Sequence, residues 1–153
     1  FGRGNAVGYI KKSEVLSHKE WIDVWKVFVP ESNNIGTELN DDNQNSFVGE
    51  PGTICTETFL VIGADLKLNK TSSKSLSKYL RTKFARFMHS LAKISQHGTS
   101  TTYQFVPLQD FSSKSDIDWS KSIVEIDKQL YKKYKLTKEE IEFIESMIKP
   151  MTE

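Results

Sequence analysis

The chain has 153 residues, 37% hydrophobic and 11% aromatic, which suits one compact domain with a core of its own. Its longest apolar runs, such as Phe59–Gly63, are too short to span a bilayer, and no secretory signal pattern is visible. The formal charge is +1, but it is unevenly sorted: from Leu66 to Gln109 there is no Asp or Glu, and eight Lys and Arg make that stretch +8 against −7 for the remainder. Such sorting points to a basic surface facing something anionic, with a phosphate backbone the leading candidate. The alternative is a solvated helix face whose counter-charges come from elsewhere in the fold.

A lone cysteine, Cys55, excludes an internal disulfide framework and fits a reducing cytoplasm. His18, His89 and His97 lack metal-ligand spacing with one another or with Cys55, so no metal site is expected. The start Phe1-Gly2-Arg3-Gly4-Asn5 has no Met and reads as a cut through a longer polypeptide.

In chain order, Val7–Ile10 is a short strand candidate. Trp21–Val29 alternates and is rich in aromatic and β-branched residues, which predicts a strand stopped by Pro30. Residues 31–52 are polar and form a long loop, functional or mobile. Thr53–Ile62 gives the strongest strand pattern, closed by Gly63. Ser72 or Ser73 then caps one long helix reaching about Ser95. Its apolar stripe, Leu76 through Ile94, falls within an arc of about 120°. Lys78, Thr82, Arg86, His89 and Lys93 lie opposite, which predicts a core helix with a basic outer face.

Gln96–Thr102 is a polar turn, Tyr103–Val106 a short extended segment before Pro107, and 110–118 a loop. A helix covers Ile123–Tyr134. Thr137 with Glu140 forms a capping box for a last helix, Lys138–Lys149, ended by Pro150. The expected fold is α+β: a small, mainly antiparallel sheet packed on the long helix, core about 7–107, then a C-terminal helical pair over about 117–150, all one domain.

No dinucleotide fingerprint, phosphate-cradling loop or HExxH motif occurs, and no catalytic residues are assigned. Lys74, Lys78, Arg81, Lys83 and Arg86 are the candidate phosphate contacts, although Arg81 and Lys83 flank the apolar arc and could instead pair with acids at the core rim. The turn His97, Thr99, Ser100, Thr101, Thr102 with Tyr103 is the candidate base-reading or phosphate-holding loop, because backbone amides and small hydroxyls serve such contacts. An ordinary helix-ending turn is the equal alternative for it. Lys26 and Arg3 are weaker candidates. Asp65-Leu66-Lys67 matches the second half of a metal-dependent nuclease motif, with a solvated strand exit as the alternative; Glu57, at a strand centre, would complete that nuclease centre or else pair with a basic residue of the long helix.

Three segments look familiar: Ile54-Cys55-Thr56-Glu57-Thr58-Phe59-Leu60-Val61-Ile62-Gly63; Ser77-Lys78-Tyr79-Leu80-Arg81-Thr82-Lys83-Phe84-Ala85-Arg86-Phe87 with its continuation through Gln96-His97-Gly98 to Pro107; and Ile117-Asp118-Trp119-Ser120 with the two helices after it. Together, over about Val24 to Met151, they resemble the C-terminal region of adenine-specific DNA methyltransferases of bacterial restriction–modification systems, chains often labelled restriction endonucleases. In that family a catalytic half binds S-adenosylmethionine and carries an Asn/Asp-Pro-Pro-Tyr motif for a flipped adenine. No doubled proline occurs here. The resemblance therefore implies the target-recognition part: a domain that binds double-stranded DNA, with no cofactor of its own, partnered by the methyltransferase domain of the same parent chain. The acidic loop within Glu31–Glu50 departs from a DNA-facing surface. A metal-dependent endonuclease domain and a protein-docking module remain the alternatives.

Overall fold

A computed structural model describes residues 1–2, 7–33 and 44–151. The architecture is α+β. Three antiparallel strands, β1 (Lys26–Pro30), β2 (Phe47–Gly49) and β3 (Phe59–Ile62), stand in the order β2-β1-β3. Four helices come after them: α1 (Lys70–Leu80), α2 (Lys83–Ser90), α3 (Ile123–Lys133) and α4 (Lys138–Met147).

β1 takes the centre because it is covered on both faces. Val27 lies opposite Val48 and Ile62, and Val29 opposite Leu60; this face looks toward α1. Phe28 lies opposite Phe47 and Val61 on the other face, where its ring packs 5.7 Å from Phe1 and 5.4 Å from Phe47. Full burial of each such side chain stabilises the fold by about 1.5–3 kcal/mol. The core continues through Leu76, Tyr79 and Leu80 of α1 and Phe84 of α2 to Ile126 and Leu130 of α3.

Several expected elements differ. The long helix is broken at Arg81–Thr82, and the break has a chemical cause. Thr82 is extended (φ −64°, ψ 151°), and its buried hydroxyl accepts from Ala85 N–H and donates to the Tyr79 carbonyl (2.6 Å). The next two amides, Lys83 and Phe84, donate to the carboxylate of Asp127 on α3 (3.0 and 2.9 Å). A side chain more than 40 residues away thus caps α2, and the helix starts afresh in a new direction. α1 is capped by Asn69, whose side chain accepts from the amides of Thr71 and Ser72, with Ser72 returning a bond to the Asn69 amide. Ser72 and Ser73 are therefore inside the helix.

The strand predicted over Thr53–Ile62 pairs only from Phe59. The Thr56 hydroxyl bonds that of Thr58, and the Phe59 amide bonds the Thr56 carbonyl, so this stretch turns before it pairs. Trp21 belongs to a 3-10 turn, Lys19–Trp21, and Val7–Ile10 is exposed and pairs with nothing as a strand. Thr101–Tyr103 is another 3-10 turn instead of an extended segment. β2 lies inside the expected loop, whose positions 34–43 fall outside the described residues. Gly63 does close β3, at φ 80°. A β-carbon there would sit 2.6 Å from Leu76 Cδ2 and 2.9 Å from Leu68 Cδ1.

Both C-terminal helices form as expected. Ser122–Glu125 and Thr137–Glu140 are reciprocal capping boxes. The α2, α3 and α4 group is knit by Glu145, which accepts from Lys83 Nζ (2.5 Å) and the Tyr131 hydroxyl (2.9 Å).

Candidate nucleic-acid interface

The basic residues of the acid-free stretch do not share one surface. Restarting the helix at Thr82 rotates the residues of α2, so the face expected outside turns inward. Thr82, Arg86 and His89 are each 0% exposed, and Lys93 is 7% exposed. Arg86 donates from Nε to the Thr82 carbonyl (3.3 Å) and from Nη2 to the Lys149 carbonyl (2.5 Å). Lys93 donates to the carbonyls of Asn33 and Ser95, both at 2.7 Å. Arg86 is thus a core cation, not a phosphate contact. Lys26 is corrected likewise: it is 2% exposed, and its ammonium is held by the carbonyls of Ile22, Val24 and Glu50. Burial pushes its pKa down.

Lys83 is tied to Glu145 with a side chain only 13% exposed, in line with the core-rim alternative. Arg81 caps the C-terminal end of α1. It is half-buried, and its Nε is closed off without a hydrogen-bond partner. Lys74 is exposed. Lys78 is half-buried and donates to the Lys121 carbonyl (2.7 Å).

What remains outward is Lys67, before α1, and a row on α1 itself. Lys70, Lys74 and Lys78 stand at i, i+4 and i+8, and the helix contains no acid. At 1.5 Å per residue the row is about 12 Å long. The opposite side of α1 is apolar: Leu76, Tyr79 and Leu80 line a cleft of about 570 Å³ that also receives Ser100 and Tyr103. Ser100 and Tyr103 of the candidate base-reading turn therefore lie on the side of α1 away from the lysines.

Within that turn, His97, Thr99, Ser100 and Thr101 are not all alike in their bonding, although none of the four side chains lies in the core. His97 Nδ1 lies 2.9 Å from the Glu31 carboxylate. Thr102 and Tyr103 are corrected to structural roles. The Thr102 hydroxyl is buried, donates to the Thr99 carbonyl (2.8 Å) and meets His89 Nε2 at 2.9 Å. Tyr103 is half-buried and stacks on the His89 ring at 3.9 Å. The Gln44 side-chain amide lies 3.2 Å from both His89 Nδ1 and the Tyr103 hydroxyl.

Burial, with Lys93 nearby, lowers the His89 pKa to about 4, so the ring is neutral at pH 7. One proton must then serve two nitrogens. Gln44 Oε1 faces Nδ1 at 3.2 Å, so Nδ1 carries that proton and Nε2 faces the Thr102 hydroxyl. Gln44 in turn donates from Nε2 to the Tyr103 hydroxyl. The helical periodicity puts His89 on the solvated face. The missing signal is the partner set, Gln44 and Thr102, which lies 45 and 13 residues away.

Glu57 is exposed in the turn before β3, so no strand-centre carboxylate needs a counter-charge. Asp65 accepts from the Trp21 indole N–H (3.1 Å). Among the described residues no three His, Cys, Asp or Glu side chains converge as a metal-binding group, and no helix is long and apolar enough to cross a membrane. Arg3 lies outside the described residues. No protein family, curated protein or solved structure matches the chain.

Proposed function

We propose that this chain is a DNA-recognition domain that seats duplex phosphates along the outer face of α1. In this reading it belongs to a restriction–modification adenine methyltransferase. The observation that carries the DNA contact is the row Lys70, Lys74 and Lys78 on a helix without a single acid. Lysines spaced a helical turn apart present point charges to successive phosphates, and such contacts position a duplex without reading its sequence. The resemblance of the three sequence segments supports the wider role. S-adenosylmethionine and the methyl-transfer chemistry then belong to the partner methyltransferase domain, and no residue of this chain is assigned to the cofactor.

The contact set narrows accordingly. Lys74 and Lys78 stay, Lys70 joins them, and Lys26 and Arg86 leave because they are buried. His97, Thr99, Ser100 and Thr101 of the turn are not part of the phosphate row.

The test is fluorescence anisotropy with a labelled duplex over a range of salt concentrations, comparing the wild type with Lys70→Glu/Lys74→Glu. The double variant is expected to bind at least ten-fold more weakly at roughly 0.1 M salt. The slope of log affinity against log salt should become shallower by about two, one for each lost phosphate contact. Equal affinity and equal slope, with the fold intact by circular dichroism, would rule out α1 as the DNA face.

A further inference from the structure

A second cleft opens beside the lysine row, on the side of α1 that carries Thr71 and Ser75. Its volume is about 740 Å³, within the size range of small-ligand sites. Asn69, Thr71 and Ser75 form one wall; the loop from Phe111 to Trp119 forms the other, and Gln129 of α3 closes it.

The chemistry changes across its width. Cations stand next to the α1 wall, outside the lining itself. Lys74 adjoins Ser75, and Lys78 reaches over to the carbonyl of Lys121, two residues past Trp119. The floor is aromatic. Trp119 is half-buried, 5.1 Å from Phe111 and edge-on to Tyr79 at 5.9 Å. Its orientation is fixed, because the indole N–H donates to the Asp110 carbonyl (2.9 Å) and Ser115 Oγ (3.0 Å). The far lip is acidic. Asp116 pairs with Lys133 (2.8 Å). Asp118 accepts from the Ser120 amide and hydroxyl through Oδ1 alone, and these bonds hold its carboxyl below the usual range. Its Oδ2 faces no hydrogen-bond donor among the described residues.

A ligand matching this gradient has an anion at one end, a flat unsaturated middle and an N–H donor at the other. We infer that the cleft takes one unstacked nucleotide, with its phosphate toward Lys74 and Lys78, its base against Trp119 and its exocyclic amine on Asp118. Stacking of a single base on an aromatic ring strengthens binding by roughly ten-fold. Acceptance by a carboxylate favours cytosine and adenine, which carry N4 and N6 amines, over thymine, which has none. The nucleotide can come from an unpaired position in a DNA strand, in which case the inference rests on the DNA-binding reading. It can also be a free nucleoside monophosphate.

The experiment compares four labelled hairpin duplexes by anisotropy: fully paired, with a one-nucleotide cytosine bulge, with a thymine bulge and with an abasic bulge. Calorimetric titration with dCMP runs in parallel. The cytosine bulge is expected to bind about ten-fold more tightly than the paired and abasic hairpins, and more tightly than the thymine bulge. Asp118→Asn, which keeps Oδ1 for Ser120, should erase the preference for cytosine over thymine. Salt-sensitive binding of all four hairpins with equal affinity, and no heat from dCMP, would overturn the cleft and leave α1 as a phosphate face. Heat from dCMP without binding of any hairpin would keep the cleft as a free-nucleotide site and end the DNA reading. Silence in both assays would end both.

Discussion

Asp127 is the residue on which the helical half turns. It is buried on α3 and accepts the first two amides of α2, so it acts as a cap supplied from a distant part of the chain. Burial pushes its pKa up to about 6, opposed by those two hydrogen bonds and by Arg86. At neutral pH it is therefore ionised, the form that suits two N–H donors and a helix N-terminus. Asp127→Ala leaves both amides without this acceptor and removes the negative charge near Arg86, and it should cost about 3 kcal/mol in urea unfolding. Asp127→Asn, which still offers one oxygen, should cost about half of that. A change below about 0.5 kcal/mol in the alanine variant would show that the cap is not formed. Lys26 tests the other kind of buried group. Lys26→Met should leave duplex affinity unchanged within about two-fold in the anisotropy assay, because its ammonium serves the carbonyls of Ile22, Val24 and Glu50 inside the fold. Neither role is legible locally. Asp127 sits beside a core Ile in an ordinary amphipathic pattern, and nothing near Lys26 in the chain marks it as buried.

At the scale of elements, the sequence shows most where the stabilising contacts are short-range. The capping boxes at Ser122–Glu125 and Thr137–Glu140 close over three residues, and α3 and α4 start where the pattern places them. Asn69 has the same local signature, but the two serines after Thr71 compete with it as caps. The break at Thr82 is hidden because the apolar spacing of Leu76, Leu80, Phe84 and Phe87 continues across it. A helical wheel drawn through a break misplaces later residues: Arg86, His89 and Lys93 are expected outside and are buried, whereas Leu91 and Ile94 are expected inside and are exposed. β2 escapes notice because three paired residues between Ser46 and Glu50 give no measurable alternation. The two kinds of cap are separable by mutation. Thr82→Ala should cost about 2 kcal/mol, since the Ala85 amide it serves is buried. Ser122→Ala, at an exposed helix start, should cost about 1 kcal/mol or less. The comparison is made by urea unfolding of both variants in one buffer; equal losses would argue that Thr82 is a solvated cap.

Over the whole molecule, the acid-free stretch looks basic in sequence because several of its cations, and Lys26 outside it, are held by backbone carbonyls. Arg86 and Lys93 use oxygens of Thr82, Lys149, Asn33 and Ser95, so they require no neighbouring Asp or Glu in the chain. Charge sorting along a sequence therefore overstates the charge of the surface, and it is Lys67 and the Lys70–Lys78 row that carry it through to solvent. The interior retains two groups that titrate in opposite senses. Unfolded histidine takes up a proton near pH 6.5, whereas His89 in the fold refuses it until about 4, so acidification from 6.5 to 4 weakens the fold. Asp127 in the fold takes up a proton near 6, whereas the unfolded carboxyl waits until 3.8, so acidification over nearly the same window strengthens it. Each group alone contributes a slope of up to about 1.4 kcal/mol per pH unit, and together they nearly cancel between about pH 6 and 4. Removing one should expose the other. Relative to the wild type, Asp127→Asn should lose about 2 kcal/mol more stability between about pH 6 and pH 4, and His89→Gln should gain a similar amount over the same range. Exposed carboxylates such as Asp110 and Glu125 act equally in all three proteins and drop out of the differences. Urea unfolding at closely spaced pH values measures both differences. Variant curves parallel to the wild type would mean that neither group is buried as the fold places it, whereas slopes of opposite sign would establish both burials at once.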